Sequence, residues 1–468
     1  MKYLFLMFLL VKFCLFGALL LCAAEPETNT KPSAGIINDV LRKEFPATSA
    51  LDIGGQFRLR YEAKDNAGSF PNRDFAQALD SSNDYLLFRT KVHLGWSPTK
   101  WFTSYVEGRD AHDAGDNRTV PETDRFDLYQ AYLRIGDAEK FPLSLKVGRQ
   151  ELIYGDQHYI GNSDWTNLGR SFDSVKLRFE NKVFWLDAFT GHVVLAQDGR
   201  FNNANHSDWF SGLYASTLRL ASWQDTDLFF LASNVGADSP RQGGQMPRYV
   251  YMIGTRWKTV PGKLGKWDYV FEAAGQFGSI PQSGRRLDHR AYAVNVTGGR
   301  TWKDAFGTPR LGAGYDFGSG DSNPADNRNG TFQMFFGTVH RFFGNMDLMG
   351  VRNMHIPRFE ASLNPSKKVT VSAELLGFWL ANTADYLYPE SGTGRSQNGY
   401  GRHPSFGSHV GQEMDLLLDW RTATWGLVRA GYGHFFVSDY IRQSINSVPA
   451  NDGAVGADWF YLQLSFNF

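Results

Sequence analysis

The sequence predicts an all-β chain: a transmembrane, antiparallel, up-and-down β-barrel of about 18 strands. Three observations point there. The terminal stretch alternates, with Phe460, Leu462, Leu464, Phe466 and Phe468 separated by Tyr461, Gln463, Ser465 and Asn467. A period of two gives a strand one greasy and one wet face. Such a bare edge is stable only if paired, and a closed ring pairs it with the first strand. Second, alternation recurs with charges on the polar side, which would be costly inside a soluble sandwich and cheap in a watery lumen. Third, aromatic residues reach 15% while mean hydropathy is only −0.36. That suits interfacial girdles on strands and excludes a bundle of transmembrane helices.

Residues 1–24 read as a secretory signal: Lys2, an apolar run, then Cys22-Ala23-Ala24. Both cysteines, Cys14 and Cys22, fall inside it, so the processed chain has no thiol chemistry. Cleavage after Ala24 removes Lys2 and Lys12 and leaves 46 basic against 48 acidic residues, a net of −2. Nothing in that balance suggests a nucleic-acid partner. Residues 25–50 form a periplasmic segment or a linker, in which Ile36, Ile37, Val40, Leu41 and Phe45 mark one short amphipathic helix.

The barrel is expected over 51–468. Its first strands are Leu51–Glu62, Leu86–Trp96, Trp101–Arg109, Asp127–Ile135, Leu143–Arg149 and Asp173–Phe179. The middle six are Val183–Thr190, Phe210–Leu220, Asp227–Val235, Tyr249–Lys258, Trp267–Phe277 and Ala291–Gly299. The last are Arg310–Phe317, Pro357–Leu363, Val369–Leu376, Val410–Trp420, Trp425–Phe435 and the terminal strand. Val183–Thr190 and Asp227–Val235 are apolar on both sides, so their facing is not readable. Polar, Gly- and Asn-rich stretches such as Asp110–Asp124, Gln197–Asn205, Gly318–Gly330 and Pro389–Pro404 read as loops.

Charges on the polar faces are the candidate pore lining: Arg58, Arg60, Arg89, Arg109, Arg134, Arg178, Arg358 and Arg429, with Glu413 and Asp415 opposing. The densest stretch is 148–175, with Arg149, Glu151, Asp156, Asp164, Arg170 and Asp173. It reads either as a salt-bridge network stiffening the wall or as a constriction where arginine binds carboxylates. The motifs H-E-x-x-H and G-x-S-x-G and a glycine-rich phosphate loop are absent. His206, His289, His340, His409 and His434 are scattered, so a barrel hydrolase is the weaker, competing class and no enzyme is expected. No cofactor or tight metal is expected; calcium at loop carboxylates such as Asp321 and Asp326 would be unspecific.

Within 148–175, Gly148-Arg149-Gln150-Glu151, Tyr154-Gly155-Asp156, Trp165, Asn167, Gly169-Arg170 and Phe172-Asp173 resemble the signature of alginate-export outer-membrane proteins. Two later blocks resemble that family too: His340, Gly344, Asp347 and Asn353, then Asp385, Tyr388, Gly411, Glu413, Asp415, Gly431, Gly433, His434 and Phe435. The chain departs at His158, where a basic residue is expected. The resemblance implies an outer-membrane channel with an arginine-containing lumen. It would pass an anionic, alginate-like polysaccharide out of the cell, with a constriction at Arg149, Arg170 and Asp173 and with periplasmic export partners. The alternative is a porin-like channel for uptake of small anionic or sugar solutes.

Overall fold

The computed structural model describes residues 35–118, 122–240, 246–340, 342–390 and 392–468; the signal segment lies outside the described residues. Its strands in chain order are β1 (Leu51–Asp65), β2 (Asn83–Thr99), β3 (Phe102–Ala114), β4 (Asp124–Ile135), β5 (Leu143–Gln150), β6 (Phe172–Glu180), β7 (Phe184–Leu195), β8 (Asn203–Ala204), β9 (Asp208–Ala221) and β10 (Gln224–Val235). They continue as β11 (Arg248–Thr259), β12 (Trp267–Gln282), β13 (Arg285–Thr301), β14 (Arg310–Gly318), β15 (Arg328–Asn329), β16 (Met354–Ser366), β17 (Val369–Leu380), β18 (His409–Ala423), β19 (Gly426–Val437) and β20 (Ala457–Asn467). The two-residue strands β8 and β15 belong to loops. The other eighteen pair antiparallel with their chain neighbours, and β1 pairs with β20 from Gln56↔Asn467 to Asp65↔Asp458. The sheet is therefore a closed 18-strand antiparallel barrel, and each of the eighteen expected strands coincides with one of them.

The outer face is apolar. Leu94, Val106, Leu133, Ile253, Leu416 and Leu464 are exposed there, and Phe359 is the most open of the group at 66%. No helix among the described residues is long and apolar enough to cross a membrane. Short turns such as Lys100–Trp101 and Lys367–Lys368 mark one end, and the long connections 151–171, 319–353 and 381–408 mark the other. In outer-membrane barrels the short turns face the periplasm. One connection at the long-loop end is tight: Ser283 and Gly284 both take positive φ, the two-residue turn whose twist matches β12 and β13.

The expected helix is present at Ile36–Glu44. Its Asn38 is buried at the seam, donating to Asp52 Oδ1 at 2.7 Å and accepting from the Ile53 amide at 2.9 Å.

The interior corrects the expectation of a simple polar hollow. Loops 151–171 and 319–353 fold into the barrel, and Ile160 bridges Phe336 in parallel. Tyr154, Tyr159, Phe332 and Phe336 pack on the inward Phe189, Phe210, Tyr214 and Phe229. This explains the two doubly apolar strands, β7 and β10. One side meets lipid and the other meets an apolar plug, because buried aromatic surface leaves water wherever partners exist. The sector under β1–β3 keeps its charges.

Candidate functional site

β1, β2 and β3 each place arginines on the inner face by strict alternation. Their target is one short segment of the inward loop. Arg58 Nη1 donates to the Asp164 carbonyl at 2.6 Å and its Nη2 to the Thr166 carbonyl at 2.9 Å. Arg60 Nη1 reaches the Trp165 carbonyl at 2.7 Å. Arg89 donates to the Asp164 and Thr166 carbonyls at 3.1 and 3.3 Å. Arg109 takes the Leu168 carbonyl and the Asp124 carboxylate. Four guanidiniums thus hold the backbone of 164–168 against the wall, each using the fork geometry that lysine lacks. All four are almost fully buried.

Trp165 completes the attachment. The Arg60 guanidinium lies 3.7 Å from the centroid of its ring, and His340 stacks at 3.5 Å, with 2° between the planes. His340 Nδ1 is 2.9 Å from Asp347. The second inward loop is fastened by carboxylates instead. Glu413 accepts from the Met346 amide at 3.0 Å, and Asp415 from the Asn345 side chain at 3.1 Å. Gly344 there has φ +100, and a Cβ on it would sit 2.5 Å from the Glu413 carboxylate, so no larger residue fits. Arg170 joins the two loops through the Gly161, Phe336 and Gly337 carbonyls. Arg358 Nη1 donates to the Phe342 carbonyl at 3.0 Å, and Arg358 lies 3.2 Å from Asp316. Glu151 accepts from Tyr129 Oη at 2.6 Å and lies 4.0 Å from Lys91. Arg178 pairs with Asp187 at 2.6 Å on the inner wall.

Arg134 lies on the inner side at the turn end of β4, opposite Lys146 and away from the loop clamp. Arg149 and Asp173 are a correction. They pair at 2.8 and 3.0 Å, but they share their side of the sheet with the exposed Val147 and Val175. The Asn202 carbonyl and the Phe201 ring cover Arg149 from outside. The pair braces the outer rim and does not line the lumen. His158, where a cation was expected, sets Nδ1 2.7 Å from Glu272 inside the plug.

An open cavity of about 220 Å³ remains at the turn end. Arg58, Arg89, Arg421 and Arg429 line it with one carboxylate, Asp164, and its rim carries Gln56, Trp425, Gln463, Ser465 and Asn467. Arg429 is 3.2 Å from Asp419. Sequence reading missed Arg421 and Trp425 because both sit beside a turn, where alternation ends. Asp164 is a loop group whose side chain opens on the cavity: the partial loss of water inside the barrel acts to raise its carboxyl, yet Arg89, Lys91 and Arg58 hold it well below the usual carboxylate range. On the same loop burial likewise acts upward on Asp156, but Arg256 and then Lys258 bring it to about 2. The loop carboxylates considered for calcium gain no ligand geometry: the Asp321 amide donates to Asp385, and the described residues hold no metal-ready group of three carboxylates, histidines or cysteines.

A family model described as "Alginate export" matches residues 49–454. No curated protein matches the chain. Solved structures are similar in fold. OccK9 (OpdG) of Pseudomonas aeruginosa has TM-score 0.58 at 12% identity, covering 89% of this chain and 98% of that one. OccK2 (OpdF) of the same organism has TM-score 0.55 at 12% identity, covering 89% and 98%, and the outer-membrane protein opdK has TM-score 0.55 at 13%, covering 89% and 99%. Family and fold place the chain in the Gram-negative outer membrane, its apolar belt in lipid, as a channel and not an enzyme. With an 18-strand closed wall, inward loops pinned by arginine and a family match spanning most of its length, the chain belongs to the alginate-export family.

Proposed function

We propose that the channel passes a carboxylated polysaccharide outward, entering from the periplasmic end. The observation that supports this reading most is the composition of the cavity there: four arginines face it and one carboxylate does. Arginine binds carboxylates bidentately, and Trp425 offers a flat apolar face of the kind that packs against a sugar ring. Gln56, Gln463, Ser465 and Asn467 supply amides and hydroxyls for sugar hydroxyls. A polymer of uronates would present one carboxylate per residue to this ladder. Periplasmic proteins would deliver the chain to the mouth.

The test is reconstitution in planar bilayers under a salt gradient. The expected result is anion selectivity in the unmodified channel and its loss or reversal in the Arg421→Glu, Arg429→Glu double variant. A polyuronate added on the turn side should block current, and a neutral dextran of equal length should not. Cation selectivity in the unmodified protein would overturn the proposal.

A second reading has one observation in its favour. The cavity has room for a single sugar ring, which suits uptake of small anionic or sugar solutes. One structural neighbour, OccK2, was crystallised in complex with glucuronate. Rapid permeation of glucuronate into liposomes carrying the channel, with no block by the polymer, would select this reading.

A further inference from the structure

The cluster that would greet an incoming carboxylate already holds one. Asp164 lies on the inward loop, not on the wall. Its Oδ1 is 2.9 Å from Arg89 Nη2 and 3.6 Å from Lys91 Nζ, while its carbonyl takes Arg58 at 2.6 Å and Arg89 at 3.1 Å. Its side chain is 52% exposed, and the open side faces the cavity. Lys91 is shared further, at 3.6 Å from Glu107 and 4.0 Å from Glu151. Across the cavity stands Arg421, which has no carboxylate partner among the described residues. The bond between Asp164 and the wall is thus polar, borders water and is made to a group of the same chemistry as the proposed cargo.

We infer that Arg89 and Lys91, with Arg58 beside them, form a binding subsite for the carboxylate of an acidic sugar, occupied at rest by the Asp164 carboxylate, and that cargo enters by taking that carboxylate's place. This rests on the anionic-cargo reading above and adds the mechanism of entry. The exchange keeps the cations paired throughout. Emptying the subsite would leave the buried Arg89 guanidinium without its carboxylate partner, whereas swapping one carboxylate for another leaves the local charge unchanged. As Asp164 swings out, the segment 163–168 loses its carboxylate tether to Arg89 and Lys91 and keeps its carbonyl contacts, the Trp165 stack and the Asn167 side-chain hydrogen bonds. Ligand binding and loosening of the plug are then one event, because the ligand favours the state in which Asp164 is displaced.

The experiment uses the full chain in detergent, with glucuronate and glucose as probes in titration calorimetry. Asp164→Asn removes the competing charge at nearly constant shape, and Asp164→Ser is a second neutral variant in case the first does not fold. The expected result is glucuronate binding at least about tenfold tighter than in the unmodified protein, with glucose unchanged. Adding Arg89→Gln to either variant should abolish the gain. Arg149→Gln, on the outer rim, should bind as the unmodified protein does. A glucuronate affinity within twofold of the unmodified protein in a folded neutral variant, or an equal gain for glucose, overturns the inference. Conduction is measured separately. Cation selectivity together with the affinity gain removes the export reading and leaves the subsite standing. Anion selectivity without the gain removes the subsite alone.

Discussion

Loops 66–82, 381–408 and 438–456 close the extracellular end through apolar side chains. Phe435 makes tilted ring contacts with both Phe75 and Phe378, and the helix Asp439–Asn446 buries Tyr440, Ile441 and Ile445 in the same core. Among the described residues of these loops, Arg395 and Asp74 form a buried ion pair at 2.9 Å that is sealed from water. Loop 151–171 is fastened in the opposite way near the cavity, by arginine on carbonyl oxygens. Apolar contact offers no substitute partner when it is broken, whereas a carbonyl released by arginine can be taken by water. The first set behaves as fixed roofing. The segment 163–168 keeps one stacked anchor, Trp165 between Arg60 and His340, and is otherwise attached by polar bonds that solvent or an anion can replace.

The largest effect is expected where the roof is cut. Arg395→Ala leaves Asp74 buried without its cation and should cost about 3–5 kcal/mol. Phe435→Ala should cost a similar amount, about 3–5 kcal/mol, through the cavity it opens. Urea titration of the refolded barrel measures both. Losses below about 1 kcal/mol would mean the roof is not the rigid element. Next comes the clamp. Arg58→Gln together with Arg89→Gln should destabilise by only about 1–3 kcal/mol, since water replaces part of what is lost. Single-channel conductance should nevertheless rise, whereas the roof variants should leave it near its starting value.

Acidification separates the two attachments more gently. Asp156 ties loop 151–171 to Arg256 at 3.0 Å and to Lys258 at 2.5 Å. Its folded pKa of about 2 is below the unfolded value of about 3.9. The stabilisation is therefore present above about pH 4 and is lost as pH falls toward 2. Conductance should stay flat from neutrality to about pH 4.5 and rise below about pH 3. Asp156→Asn should already show the raised level at neutral pH. The smallest effect is expected from Arg149→Gln, which should leave the reversal potential unchanged because its side chain braces the outer rim. A shift would return Arg149 to the lumen.

The wall was legible because alternation is a local property. Trp267, Tyr269, Phe271, Ala273 and Phe277 share the lipid side, as their period of two requires. The plug was not legible. Whether a polar loop lies on the surface or dives inward depends on distant partners, such as the Arg170 contact with Gly337 across 167 positions. The inward faces of β7 and β10 became apolar for that reason, and their pattern looked ambiguous without the plug. Arg149 shows the reverse failure. Its place in a family-like motif suggested the lumen, while simple parity with Leu145 and Val147 already pointed outward.

The seam has a consequence for biogenesis. Gln56 Nε2 meets Asn467 Oδ1 across 411 positions of chain, so the ring's final joint unites segments made at opposite times during synthesis. Until that joint forms, the nascent wall carries two raw borders, each able to recruit a stranger. Such distant partners make insertion slow, and the cell must shepherd the unfinished product to the bilayer before either border finds the wrong mate.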